Sequence, residues 1–253
     1  LVGIDQFGSG ERTDELQYWN YGYWREGTPD PKVASINLLE KLLALLPPPP
    51  ARILDVAFGQ GGSTRALCEL YGVDRVTGVN IAEDQIAHAR AAGVACELIQ
   101  MDAAELAFDN ATFDGILCME AAFHFSTRLS FLKHARRVLR PGGSLVMSDL
   151  LFRSGIGLDP VIFPPENEVS GLDGYKALYQ EAGFAADDLA VEVITGQQLS
   201  PFLGTLAEYA GYLPTPDPER IQIESPHAQN AILFILSRAI NISECVIVSA
   251  TRR

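Results

Sequence analysis

Two residues near the middle of the chain are spaced for proton chemistry. In the run 118–125, Cys-Met-Glu-Ala-Ala-Phe-His-Phe, Glu120 and His124 follow an apolar stretch and stand four residues apart. An imidazole removes a proton near neutral pH, and a carboxylate that fixes its tautomer makes it a better base. Glu120 is the nearest carboxylate in sequence; Glu166, Glu168 and Glu208 are alternatives further along. Between Phe123 and Phe125, an isolated histidine reads as a packing residue, whereas at a strand tip beside a bound ligand it reads as a base. His88 and His134 fall on helical stretches and read as solvated, and His227 lies in the tail.

A second set of residues is suited to holding a ligand. The stretch 53–64, Ile-Leu-Asp-Val-Ala-Phe-Gly-Gln-Gly-Gly-Ser-Thr, carries Asp55 and then Gly59, Gly61 and Gly62. Glycine lets a backbone approach a ligand closely while it turns from strand to helix. Such a turn is also an ordinary βα loop, or part of a dinucleotide fingerprint. Against the fingerprint, Ala57 occupies the first glycine position, and Asn80 stands where a ribose-binding acid is expected. Asn80 can still bind a hydroxyl, and Asp102 can accept a hydrogen bond from an exocyclic amine or simply cap a helix.

These residues matter only if the fold brings them together. Short apolar stretches at 52–57, 75–79, 95–100, 113–119 and 144–148 read as strands, and 33–46, 63–71, 82–92 and 131–139 read as helices. The proline run 47–50 ends the first helix, and Pro141-Gly142-Gly143 ends the fourth. Strand alternating with helix implies a mostly parallel, doubly wound α/β sheet covered on both faces, with ligands at the carboxyl ends of the strands. Beyond it, 175–182, 201–212 and 228–240 look helical, while 189–194 and 244–250 look strand-like and could pair as an antiparallel edge hairpin. The division is an N-terminal helical lid (1–50), a ligand-binding core (51–150), and cap helices with closing edge strands of the same domain (151–253).

Composition narrows the partners. Of 253 residues, 19 are Lys or Arg and 32 are Asp or Glu, a net charge of −13. A phosphate backbone needs clustered cations, so nucleic acid is not an expected partner. The basic run Lys133, Arg136, Arg137 and Arg140 reads as a solvated helix face. Hydrophobic residues make up 47% of the chain, enough for a core. No apolar run approaches the roughly 20 residues of a membrane helix. Four scattered cysteines form neither a disulfide framework nor metal-ligand spacing. No signal peptide is evident at the start given, and a cytoplasmic protein is expected.

Across 52–149 the chain resembles the class I S-adenosylmethionine-dependent methyltransferases. The motifs occur in order: the 55–62 loop, Gly78-Val79-Asn80-Ile81 with Gln85, Met101-Asp102-Ala103, Phe113-Asp114-Gly115-Ile116, and Arg137 to Gly143. The resemblance implies a Rossmann-like fold and S-adenosyl-L-methionine as cofactor, with S-adenosyl-L-homocysteine as product. It implies cofactor contacts by Asp55, Gly59, Gly61, Asn80, Ile81, Gln85, Asp102, Ala103 and Glu120, and catalysis by His124 and Glu120 without a metal. Asn80 departs from the family's usual acid. Residues 120–128 also look like those of O-methyltransferases of polyketide and peptide biosynthesis. The implied acceptor is a hydroxyl of a natural-product intermediate, on an acyl chain presented by an acyl carrier protein. A C- or N-methyltransferase of a free small molecule, or a non-catalytic cofactor-binding module, are the alternatives. The aromatic segment 18–24 is either a lid over the cofactor or an anchor for the first helix.

Overall fold

The computed structural model describes residues 20–46, 50–155, 159–160, 163–209 and 239–253. Tyr18, Trp19, His227 and most of the expected 228–240 helix lie outside these residues. Helix α1 (Pro31–Leu43) begins two residues before the expected start. Asp30 accepts a hydrogen bond from the Val33 amide at 2.9 Å, and Pro31 takes a first-turn position where no amide is needed. Then follow β1 (Ile53–Val56), α2 (Gly62–Tyr71), β2 (Val76–Asn80), α3 (Glu83–Ala91), β3 (Glu97–Gln100) and β4 (Phe113–Met119). The second half holds α4 (Arg128–Val138), β5 (Leu139–Phe152), α5 (Gly171–Glu181), β6 (Leu189–Val193), α6 (Thr195–Tyr209) and β7 (Ile242–Thr251).

The strands form one seven-stranded sheet in the order β3-β2-β1-β4-β5-β7-β6. The first five are parallel, and β7 runs antiparallel between β5 and β6, so the expected edge hairpin is present. On one face, Leu38 and Leu42 of α1 and Leu67 of α2 pack on Ile53, Leu117 and Val146. On the other, Phe131 and Ala135 of α4 and Tyr175 and Tyr179 of α5 pack on Leu54, Ile116, Met147 and Val248. Strand order reverses at β1 and β4. Their carboxyl ends therefore diverge, and that is the place where open α/β sheets bind ligands.

Three local expectations change. α4 starts at Arg128, not 131, because the Thr127 hydroxyl accepts from the Leu129 amide at 3.1 Å. β5 runs 139–152 because Leu139 still pairs with Phe113 before the glycine turn. α6 starts at Thr195 and runs through Pro201. A proline inside a helix cannot donate to the carbonyl four residues back. Here that carbonyl, Gln197, accepts instead from the Trp24 amide at 2.8 Å. Nor is the basic run merely a solvated face: Arg137 binds the carbonyls of Leu106 and Phe108, and Arg140 pairs with Asp114 at 3.0 Å. His134 joins it, half-buried, with Nδ1 3.3 Å from the Leu106 carbonyl.

One charged group lies wholly inside. Arg128, 1% exposed, donates from Nε to Asp149 Oδ2 at 2.7 Å, from Nη2 to the Leu150 carbonyl at 2.7 Å and from Nη1 to the Asn167 carbonyl at 2.6 Å. The Tyr175 hydroxyl adds a bond to the same Asp149 oxygen at 3.0 Å. Removing one partner of a buried pair strands the other charge, at a cost of about 3–5 kcal/mol. We expect Arg128→Ala to lose about that much in urea unfolding, and Arg128→Met combined with Asp149→Leu to recover much of it. A loss below about 1 kcal/mol would show that the pair is dispensable.

Candidate active site

The opening βα turn is held from below by Asp55. Its Oδ2 accepts from both the Ser63 and Thr64 hydroxyls at 2.7 Å, joining the middle of β1 to the first turn of α2. Burial pushes the Asp55 carboxyl up to about 6, against the lowering effect of the two hydroxyls. Above it the chain reverses through three left-handed residues, Ala57 (φ +56°), Gly59 (+57°) and Gly61 (+95°). At Gly61 a Cβ would come within 2.9 Å of the Ala89 Cβ, so helix α3 is packed directly on the turn. The start of α2 has no side-chain cap. A helix start of this kind, following a strand at the carboxyl edge of a parallel sheet, is a favourable place for an anionic group such as a carboxylate.

At the next two strand tips the side chains are already partly engaged. Asn80 donates to Gln85 Oε1 at 2.8 Å and accepts from the Ala82 amide at 3.0 Å, which sets the start of α3. Ile81 beside it is 65% exposed. Asp102 accepts from the Ala104 amide at 2.8 Å, the helix-cap role that a lone aspartate suggests, and Ala103 is buried next to it. The Met101 amide donates to the Asn80 carbonyl at 2.9 Å, so both tips are fixed together. Turn, Asn80, Ile81 and Asp102 thus lie along one carboxyl edge. Backbone amides, a carboxamide, an apolar side chain and a carboxylate suit a nucleoside carrying an amino acid, and these residues fit S-adenosylmethionine.

Directly after β4 comes Glu120, 6% exposed and left-handed at φ +46°. Its Oε2 accepts from the Tyr21 amide at 2.7 Å and its Oε1 from Gln198 Nε2 at 2.5 Å. Burial pushes Glu120 up to about 8; the Tyr21 amide and Gln198 pull down, and Asp149 pushes up. His124 follows on a single 3-10 turn (Ala122–His124), exposed and stacked 3.9 Å from the Phe123 ring. Asn167, fully buried, donates to the carbonyls of Phe123 at 3.2 Å and Phe125 at 2.7 Å and so grips the backbone on both sides of the histidine.

Of the carboxylates considered for His124, Glu120 is engaged by Tyr21 and Gln198, and Glu168 accepts from the Gly155 amide at 2.8 Å. Glu166 is exposed beside Asn167, and the side chain of Glu208 lies outside those described. Asn167, Arg128 and Gln198 were not found from sequence. A buried Arg, Asn or Gln has no periodicity to mark it, because its burial depends on partners distant in the chain.

Comparison with known proteins decides the family. A methyltransferase-domain family model matches residues 53–143. The 27-O-demethylrifamycin SV methyltransferase of Amycolatopsis mediterranei is 30% identical over 68% of this chain and 69% of its own. An O-methyltransferase of Penicillium expansum is 31% identical over 68% and 67%. The chain belongs to the S-adenosylmethionine-dependent methyltransferases. It spans about two thirds of the length of these relatives. In fold, the methyltransferase matches the [4+2]-cyclase SpnF (TM-score 0.71, 18% identity, 94% of this chain and 89% of that one). It also matches a sarcosine dimethylglycine methyltransferase from Galdieria sulphuraria (TM-score 0.69, 19% identity, 94% of each). A cyclase among these shows that the fold alone does not fix the reaction.

Ala57 offers a direct test of the turn. A left-handed alanine costs roughly 1–2 kcal/mol, and glycine removes that strain at an entropic cost of roughly 0.5–1 kcal/mol. Ala57→Gly should therefore leave stability unchanged or raise it by up to about 1.5 kcal/mol, seen as an equal or higher urea midpoint at constant m. A drop would contradict the strained turn.

Proposed function

We propose that this methyltransferase methylates a hydroxyl of a natural-product small molecule, with His124 as general base. The observation that carries the reading is an exposed imidazole at the tip of β4, on a turn held by Asn167 and sharing its edge with the glycine turn. Bound S-adenosylmethionine supplies an electrophilic methyl group. With the cofactor bound, His124 would take the proton of the acceptor hydroxyl as its oxygen receives the methyl group, and the proton would leave on the imidazole. Asp55 keeps the turn and α2 in register, while Gly59, Gly61, Asn80, Ile81, Gln85, Asp102 and Ala103 are the proposed cofactor contacts. Glu166, carried next to Asn167, is the carboxylate we assign to orient the imidazole.

Relatives named for rifamycin, for the 3″-oxygen of erythromycin and as fungal O-methyltransferases support oxygen as the acceptor atom. Whether the acceptor is free or held on a carrier-protein arm changes its handle and not the chemistry, so both forms belong in the assay. Among the described residues no helix is long and apolar enough to cross a membrane, and the four cysteines are unbridged. Both facts support a cytoplasmic enzyme.

The test is His124→Ala against hydroxylated natural products, free and as phosphopantetheine thioesters. Losing a general base costs about 10²–10⁴ in kcat, while calorimetric affinity for S-adenosylhomocysteine should stay within threefold of wild type. Full turnover in the variant would favour carbon or nitrogen methylation. Methyl transfer to no acceptor, with intact cofactor binding, would favour the non-catalytic module.

A further inference from the structure

Three separate elements meet at the Glu120 carboxyl, and two of them play no part in holding the cofactor as proposed above. The segment 20–24 contributes the Tyr21 amide at 2.7 Å, and α6 contributes Gln198 at 2.5 Å. Gln198 is fully buried and also donates from Nε2 to the Gly22 carbonyl at 2.9 Å. Because that carbonyl can only accept, the orientation of the Gln198 amide is fixed. Its Oε1 is then left buried with no hydrogen-bond partner. A buried, unpartnered carbonyl costs about 1–3 kcal/mol, and an ionised carboxylate, which only accepts, gives it no donor.

We infer that Glu120 and Gln198 form a neutral acid–amide pair whose shared proton clasps segment 20–24 onto α6 across the strand tips. The carboxylic O–H supplies the donor that Gln198 Oε1 lacks, while Gln198 Nε2 continues to donate to the other carboxyl oxygen. Surrounding contacts are arranged for the same docking. Pro201 frees the Gln197 carbonyl for the Trp24 amide, the Tyr21 ring lies 4.4 Å from that of Phe202, and a Cβ at Gly22 would meet that of Ala34 at 2.5 Å.

The titratable group that acts on Glu120 is Asp149 on β5, and Glu120 in turn pushes up the Cys245 thiol on β7; the segment and α6 present an amide and a carboxamide. Burial raises the carboxyl to about 8 from its ordinary 4.5. The sign follows: the clasp is complete at low and neutral pH and is lost as pH rises through about 8, when the proton leaves, Gln198 Oε1 loses its donor and a buried charge is left on Glu120. Gln198 is on this account a positioning residue, and the inference is independent of which acceptor is methylated.

Both tryptophans of the chain, Trp19 and Trp24, fall in or next to this segment, so intrinsic fluorescence reports on it without a label. Acrylamide quenching of the full-length protein should rise through a one-proton transition with a midpoint near pH 8 while far-ultraviolet circular dichroism stays constant. In Glu120→Gln, which has no proton to lose, quenching should not change between pH 6 and 10. In Gln198→Met, which keeps the volume but neither hydrogen bond, quenching should be raised already at pH 6 and should not change with pH, and this variant decides the matter should the first not fold. A flat profile in wild type, an unchanged transition in Glu120→Gln, or a wild-type profile in Gln198→Met would each overturn the proposal.

Discussion

A guanidinium sealed beneath the tips of β4 and β5 sets the terms for everything around the site. A buried charge is tolerated only when its hydrogen-bonding capacity is met, and Arg128 meets it with Asp149, the Leu150 carbonyl and the Asn167 carbonyl. Its own backbone amide donates to Asn167 Oδ1 at 2.6 Å. The Asn167 carboxamide, thus oriented, has its two remaining protons aimed at Phe123 and Phe125. The position of the histidine turn is therefore determined by the needs of a charge it never touches. Because the network draws on β5, α4, α5 and the 165–168 turn, the edge that carries His124 is tied to the sheet as a unit.

Much of this framework could be read from residue order. Apolar runs separated by glycine and proline identify the strands, since strands buried on both faces carry few polar residues and the turns between them need special backbone angles. The candidate ligand edge follows from topology, which places Gly59, Asn80 and Asp102 at the carboxyl ends of neighbouring strands whatever their side chains do. Helix starts were less legible. Pro201 looked like the beginning of a helix because proline is favoured there, and only the arrival of Trp24 at the Gln197 carbonyl explains an interior proline. The roles of the arginines were hidden for a similar reason. Arg137 and Arg140 form a charged stripe in sequence, yet they reach back to carbonyls and an aspartate between residues 106 and 114.

Glu120 shows how a residue can be singled out from sequence while its partners stay hidden. Its place at the tip of β4 points to the reacting groups, and its left-handed backbone marks it as special. The partners it has in the structure come from residue 21 and residue 198, separations no local pattern encodes. The carboxyl nearest the histidine in sequence is bonded to segment 20–24 and to α6. Neighbouring residues of one short stretch thus differ in their surroundings: Glu120 is buried and bonded in this way, whereas His124 is exposed.

The slot that β7 occupies also shapes how the chain comes together during synthesis. β5 leaves the ribosome with one edge bare and stays so until residues 153–241 have followed, and β6 has no neighbour in the sheet before β7 arrives. A nascent chain in that interval exposes a long apolar edge of the kind that pairs with other molecules. The order in which strands are made thus leaves an edge open that the finished fold closes, a matter separate from the stability of that fold.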